Sequence, residues 1–82
     1  LTFYTRQGCH LCDIMHAEVT AFLAEHAPQI DAQLAVVDID TDAGLKHRYD
    51  WRVPVLAAAD DIICEGRFDA AALQDFLDIP GI

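Results

Sequence analysis

Cys9 and Cys12, spaced as Cys-x-x-Cys within Arg6-Gln7-Gly8-Cys9-His10-Leu11-Cys12, are the residues of this chain best suited to covalent chemistry. A short apolar run, Leu1 to Thr5, reads as a strand before them, and a segment of helical periodicity follows. The pair is therefore expected at a strand-to-helix turn. The first turn of a helix carries unpaired N–H groups and the positive end of the peptide dipoles, and both favour a thiolate over a thiol. Cys9 is the candidate nucleophile. Cys12 follows within one helical turn, with Cβ atoms about 5–6 Å apart, close enough for a disulfide to form with a modest adjustment.

Other uses of two cysteines fit less well. Zinc would need two further ligands, and there is no second Cys-x-x-Cys; His47 and Cys64 stand alone. Haem attachment needs a histidine directly after the second cysteine, where this chain has Asp13. No metal site is expected. His10, between the cysteines, either favours the Cys9 thiolate as a cation or is simply exposed. Asp13 opposes a second negative charge beside Cys12 or favours the helix start.

The elements that must hold the pair can be read from spacing. Leu11, Ile14, Met15, Val19, Phe22 and Leu23 recur at three and four residues, predicting an amphipathic helix that ends near His26-Ala27, before Pro28. Leu34 to Ile39 is a nearly continuous apolar run with β-branched residues, the pattern of a strand buried on both faces. Strand, helix and strand then make a right-handed βαβ unit. Asp40-Thr41-Asp42 caps a short helix from Ala43 to Tyr49, and Val53 to Ala57 is a strand with Pro54 at its start. Asp60-Asp61 turns into a fourth strand, Ile62 to Cys64, as an antiparallel hairpin. Asp69 caps a last helix that runs through Leu77. The order βαβαββα predicts an α/β fold with a four-stranded mixed sheet and helices on both faces.

Length and charge narrow the partners. The 82 residues are expected to form one domain, 1–82, and 54% of them are apolar, too many for a disordered chain. A formal charge of −9 argues against nucleic acid and anionic membranes, which reward basic surface. No apolar run approaches the roughly 20 residues of a membrane span, and no targeting segment is read. Three cysteines, one pair and one distant thiol, suit a reducing compartment, so a cytoplasmic location is expected.

Phe3-Tyr4-Thr5-Arg6-Gln7-Gly8-Cys9-His10-Leu11-Cys12, the later Arg52-Val53-Pro54-Val55 and the element order together resemble a glutaredoxin of the thioredoxin-fold superfamily. The chain is most similar to the small bacterial glutaredoxin-like family without settled function, in which a Gly-Cys-x-Leu-Cys opening is usual. The resemblance covers essentially the whole chain. It implies a thioredoxin-like, glutaredoxin-type fold and a thiol–disulfide oxidoreductase in which Cys9 attacks and Cys12 resolves. The alternative is a non-catalytic thioredoxin-fold binding module, or an iron–sulfur carrier assisted by glutathione.

By the same resemblance Pro54 is a cis-proline facing the cysteine pair, and the backbone of Val53 pairs with an extended peptide or glutathione. Arg6 takes the place of a basic residue of glutaredoxins, as a cation for the Cys9 thiolate or a substrate carboxylate, with solvated surface as the alternative. Two departures stand out. Arg52 replaces the usual threonine before Val-Pro, and Cys64-Glu65-Gly66-Arg67-Phe68-Asp69 replaces a Gly-Gly pair. The second resembles redoxins that take electrons from thioredoxin reductase. Gly66 lets a ligand approach the backbone, Asp69 binds a ligand end or simply caps its helix, and Arg52 and Arg67 bind acidic groups.

No tightly bound cofactor is expected, and glutathione is a possible co-substrate. The expected partners are a disulfide-containing protein or a glutathione mixed disulfide, with glutathione or a thioredoxin reductase as donor and the chain a monomer. Trp51 is read as a packed aromatic, with a lid over the site as the alternative. Cys64 is read as a small buried hydrophobe, and His16, His26 and His47 as surface residues. Tyr4, Tyr49 and the phenylalanines are assigned to the core.

Overall fold

The structure, a computed structural model, describes residues 1–27 and 33–77. Strands β1 (Thr2–Thr5), β2 (Ala35–Asp38), β3 (Val55–Ala58) and β4 (Asp61–Glu65) alternate with helices α1 (His10–His26), α2 (Ala43–Tyr49) and α3 (Ala70–Leu77), and a 3-10 turn spans Ile39–Thr41. The sheet order is β2-β1-β3-β4, parallel between β1 and β2 and antiparallel elsewhere. This is the mixed α/β arrangement that the element order predicts.

Alternation along β1 decides where the helices lie. Phe3 points to one face and is wholly buried with Met15, Val19 and Phe22 of α1, Leu56 of β3 and Leu73 of α3. Tyr4 points to the other, against Ile39, Tyr49, Val55 and Ala57. Thus α1 and α3 cover one side of the sheet and α2 the other. Burying a side chain the size of Phe3 contributes about 1.5–3 kcal/mol, so each face has its own reason to hold its helices.

Short polar side chains set the helix starts. Asp42 Oδ1 accepts the Leu45 N–H at 3.1 Å, and Asp69 Oδ1 accepts the Ala72 N–H at 3.0 Å. At the end of α1, Ala27 turns extended while its N–H still donates to the Leu23 carbonyl at 3.1 Å. Pro28, the expected stop, lies outside the described residues.

The second strand departs from expectation. Its β-branched run suggests burial on both faces, yet β2 is an edge strand, Ala35 is exposed and Val36 is 53% exposed. Propensity favours an extended chain equally at an edge or in the middle, and only pairing fixes which one results. Ile39, the last residue of the run, is buried, but in the 3-10 turn. β3 also starts two residues later than Val53, which leaves Val53 and Pro54 in the preceding loop.

The pairing directions bring four chain ends together. The carboxyl ends of β1, β2 and β4 and the amino end of β3 emerge at one edge of the sheet. The Cys-x-x-Cys turn follows β1 at that edge, and Val53-Pro54 precedes β3 there.

Candidate active site

The site is built outward from the end of β1. Gly8 has φ of +75°, a left-handed conformation that strains any residue with a side chain, and it turns the chain into α1. Cys9 then occupies the N-cap with extended φ and ψ of −96° and 102°. Its Sγ accepts the backbone N–H of Cys12 at 3.1 Å, the place a serine or aspartate oxygen usually takes. Cys9 and Cys12 are joined by a disulfide with Cα atoms 5.1 Å apart. Cys9 is half-buried and Cys12 is 0% exposed, so a reacting partner meets Cys9 first.

Arg6 is held within the protein. Its Nε and Nη2 donate to the Asp40 carboxylate at 3.3 and 2.7 Å, and its Nη1 donates to Asp50 Oδ1 at 2.6 Å and the Asp50 carbonyl at 3.2 Å. These bonds raise the guanidinium further above its ordinary value. They also tie the loop after β1 to the segment after β2 and to the loop before β3. Arg6 thereby positions the three chain segments that frame the site.

The two departures from the glutaredoxin pattern turn out to be partners. Arg52 Nε donates to Glu65 Oε2 at 2.9 Å and its Nη2 to Oε1 at 3.1 Å, a bidentate ion pair. Bonding to Arg52 holds the Glu65 carboxyl below its ordinary range. The guanidinia of Arg52 and Arg48 lie 5.5 and 5.3 Å from the centre of the Tyr49 ring, and that ring stacks on Tyr4 at 4.5 Å. Burial first, and Tyr49 second, push the Tyr4 hydroxyl up.

The Val53–Pro54 peptide is cis, as the resemblance implies. The N–H of Val53 is already used, donating to the Tyr49 carbonyl at 3.2 Å beside the Arg52 N–H at 2.9 Å. Across the sheet edge, Gly66 has φ of +81°, nothing lies within 4 Å of where a Cβ would sit, and its N–H donates to the Pro54 carbonyl at 2.8 Å. Asp69 caps α3. A groove of about 490 Å³ runs between α1 and the β4–α3 loop, lined by Leu11, Ile14, Glu18, Gly66, Arg67 and Phe68. Arg67 has no ion-pair partner among the described residues.

Other residues lie elsewhere than the sequence suggested. Trp51 is 95% exposed, not packed among the described residues, because the loop before β3 carries it outward. Cys64 is free and half-buried at the edge of the core, and burial pushes its thiol up. His26 stacks on Phe22 at 4.1 Å and donates from Nδ1 to the Phe22 carbonyl at 2.9 Å, and His16 packs against Phe3 at 5.6 Å; both are half-buried. Phe76 is 46% exposed, outside the core assigned to it. The ion pairs of Asp40, Asp50 and Glu65 leave no local signal in the sequence, since their arginine partners lie 34, 44 and 13 residues away. Among the described residues no three histidines, cysteines or carboxylates gather as a metal site, and no helix is long and apolar enough to cross a membrane.

A family model, the Glutaredoxin-like domain (DUF836), matches residues 1–78. The chain belongs to this glutaredoxin-like family. Among solved structures it is similar to protein XcR50 from X. campestris, at 35% identity and a TM-score of 0.68, covering 98% of this chain and 97% of that one. It is also similar to protein Ne2328 from Nitrosomonas europaea, at 32% identity and a TM-score of 0.76, covering 93% and 87%. No curated protein matches. A glutaredoxin-like domain with its Cys9–Cys12 pair at bonding distance fits a redox role of the thioredoxin-fold kind.

Proposed function

We propose that this glutaredoxin-like chain is a thiol–disulfide oxidoreductase working by a dithiol mechanism. The Cys9 thiolate attacks a disulfide, a mixed disulfide forms at Cys9, and Cys12 displaces the bound sulfur to close the Cys9–Cys12 bond. One observation carries the reading. The more accessible Cys9 sulfur sits at the N-cap of α1 and accepts a backbone N–H at 3.1 Å, while the second sulfur is buried one turn on. A developing thiolate at Cys9 is thus met by a donor and by the positive end of a 17-residue helix.

The substrate side of the reading is a protein disulfide, or a glutathione mixed disulfide, reached in the cytoplasm by a monomer. Exposed Leu11 and Ile14 beside the pair, and Trp51 on the neighbouring loop, supply apolar contact for a polypeptide. Gly66 lines the groove beside α1 and has nothing within 4 Å of where a Cβ would sit, which leaves room for an extended segment to approach the backbone there. Arg6 and Arg52 already hold protein carboxylates, and the Val53 N–H is bonded, so fewer groups are left to grip glutathione. That favours a reductase, such as thioredoxin reductase, over glutathione as electron donor.

The test is disulfide reduction with each donor supplied separately and Cys9→Ser as the blank. The expected result is Cys9-dependent turnover with thioredoxin reductase that exceeds turnover with glutathione. Turnover with neither donor overturns the oxidoreductase reading, and turnover with glutathione alone overturns the donor assignment.

A further inference from the structure

A crevice of about 190 Å³ lies behind the resolving cysteine, between α1 and the β1–β2 side of the sheet. Phe3 and Thr5 of β1, Val36 of β2, and Cys12, Asp13 and His16 of α1 line it. Cys12 forms part of its wall and is 0% exposed to bulk solvent. A thiol that must lose its proton to attack, and regain it on leaving, needs somewhere for that proton to go. A space of this size has room for several waters at about 30 Å³ each.

His16 follows Cys12 by one helical turn, so the two side chains share a stripe of α1. Its ring packs on Phe3 with centroids 5.6 Å apart and planes at 58°, which holds it half-buried at the crevice. Among the described residues that line the crevice, Asp13 is the charged neighbour of His16. It is exposed, whereas Phe3, Thr5 and Val36 bring no charge. Asp38, in register with Thr5, accepts the Asp40 N–H at 2.9 Å. An imidazole takes up and returns a proton near neutral pH, while a carboxylate is too weak a base to hold one there.

Resting on the dithiol mechanism above, we propose that His16 is the proton acceptor and donor for Cys12, acting through water in this crevice. In the resolving step the Cys12 proton passes to His16, and the Cys12 thiolate attacks Cys9 Sγ. The Cys9–Cys12 bond forms, the bond from Cys9 to the substrate sulfur breaks, and the electron pair departs on that sulfur, which solvent protonates. The substrate disulfide gains two electrons and the cysteine pair loses two. In the reverse sense, a reducing thiolate attacks Cys9, Cys12 departs, and the His16 imidazolium returns the proton.

The experiment follows both halves of the reaction with one reagent. Reduced protein carrying Cys64→Ser is mixed with dithiobis(nitrobenzoate), which releases one coloured thiolate when Cys9 is captured and a second when Cys12 resolves. His16→Gln is expected to slow the second release about tenfold or more near neutral pH and to leave the first unchanged. The second release should recover in alkaline solution, where hydroxide removes the Cys12 proton, and His16→Ala should recover it with added imidazole. His26→Gln, away from the crevice, should behave as the parent. A His16→Gln protein with the parent's second release and pH profile overturns the proposal, as does a slowed release that neither alkali nor imidazole restores. A parent that releases only one thiolate overturns the dithiol mechanism itself, and so separates that failure from the failure of His16.

Discussion

Arg52 and Glu65 grip each other at the open end of the β3–β4 hairpin through two parallel hydrogen bonds, of 2.9 and 3.1 Å. Where the glutaredoxin pattern has a threonine and a glycine, this chain has a matched cation and anion, so the two departures are one feature. Their consequence is electrostatic. Bonding to Arg52 lowers the Glu65 carboxyl from its ordinary value of 4.5. In acid the unfolded chain binds a proton at Glu65 before the folded chain does. Stability from the pair is therefore present above 4.5 and lost as pH falls through the depressed folded value. Both partners are well exposed, so the effect is small and salt-sensitive. Urea midpoints of the parent and Glu65→Gln should differ at neutral pH and converge as the solution is acidified below that range.

Arg6 tests the difference between holding a site and taking part in it. Its cation is shared between Asp40 and Asp50, which leaves little net positive field for a sulfur atom. Arg6→Ala is expected to lower the urea midpoint, because two carboxylates lose their common partner and three loops lose their tie. Thiolate absorbance of Cys9 in the reduced protein should titrate nearly as in the parent. A rise of about one pKa unit or more would return Arg6 to the role its sequence position suggests.

The legible and illegible parts of this molecule differ in range. Asp42 and Asp69 are readable as caps because the groups they satisfy lie three residues on. The placement of Cys9 at a helix start is readable for the same reason, from an apolar period that begins just beyond it. Val36 is exposed where its run suggests burial, because such a run looks alike at the edge and in the middle of a sheet. Arg6 and its carboxylates are joined only when three strand ends meet at one edge, and nothing local records that meeting. Trp51 falls in the same class, since whether an aromatic packs or protrudes depends on where its loop is carried. His16 lies between the two. Its offset of one turn from Cys12 was visible in the sequence, but the crevice they share was not.

Cys64 gives a contrast within the chain. Burial disfavours its thiolate and pushes its thiol above the ordinary 9.0. The thiolate is the nucleophile, so a raised thiol reacts slowly at neutral pH. In reduced protein treated with a limiting alkylating agent, mass spectrometry should find Cys9 modified well before Cys64. The rate at Cys64 should keep rising with pH beyond the ordinary thiol value of 9.0 instead of levelling off there. Early modification of Cys64 would mean that its strand end opens.

The redox sulfur is also a structural cap, and the two roles use the same N–H. With Cys9 reduced, the Cys12 N–H that starts α1 is the donor facing the thiolate, so the helix start and the acidity of Cys9 are coupled. Serine keeps an acceptor at the N-cap and alanine does not. Under reducing conditions Cys9→Ala should be less stable than Cys9→Ser by about 1 kcal/mol, although both are equally unable to attack a disulfide. Urea melts of the two variants measure the cap without the chemistry. In the parent, the same hydrogen bond should bring the Cys9 thiolate titration below that of an ordinary cysteine. Equal stability of the two variants, with an unshifted Cys9, would mean that the sulfur contributes nothing to the helix start and gains nothing from it.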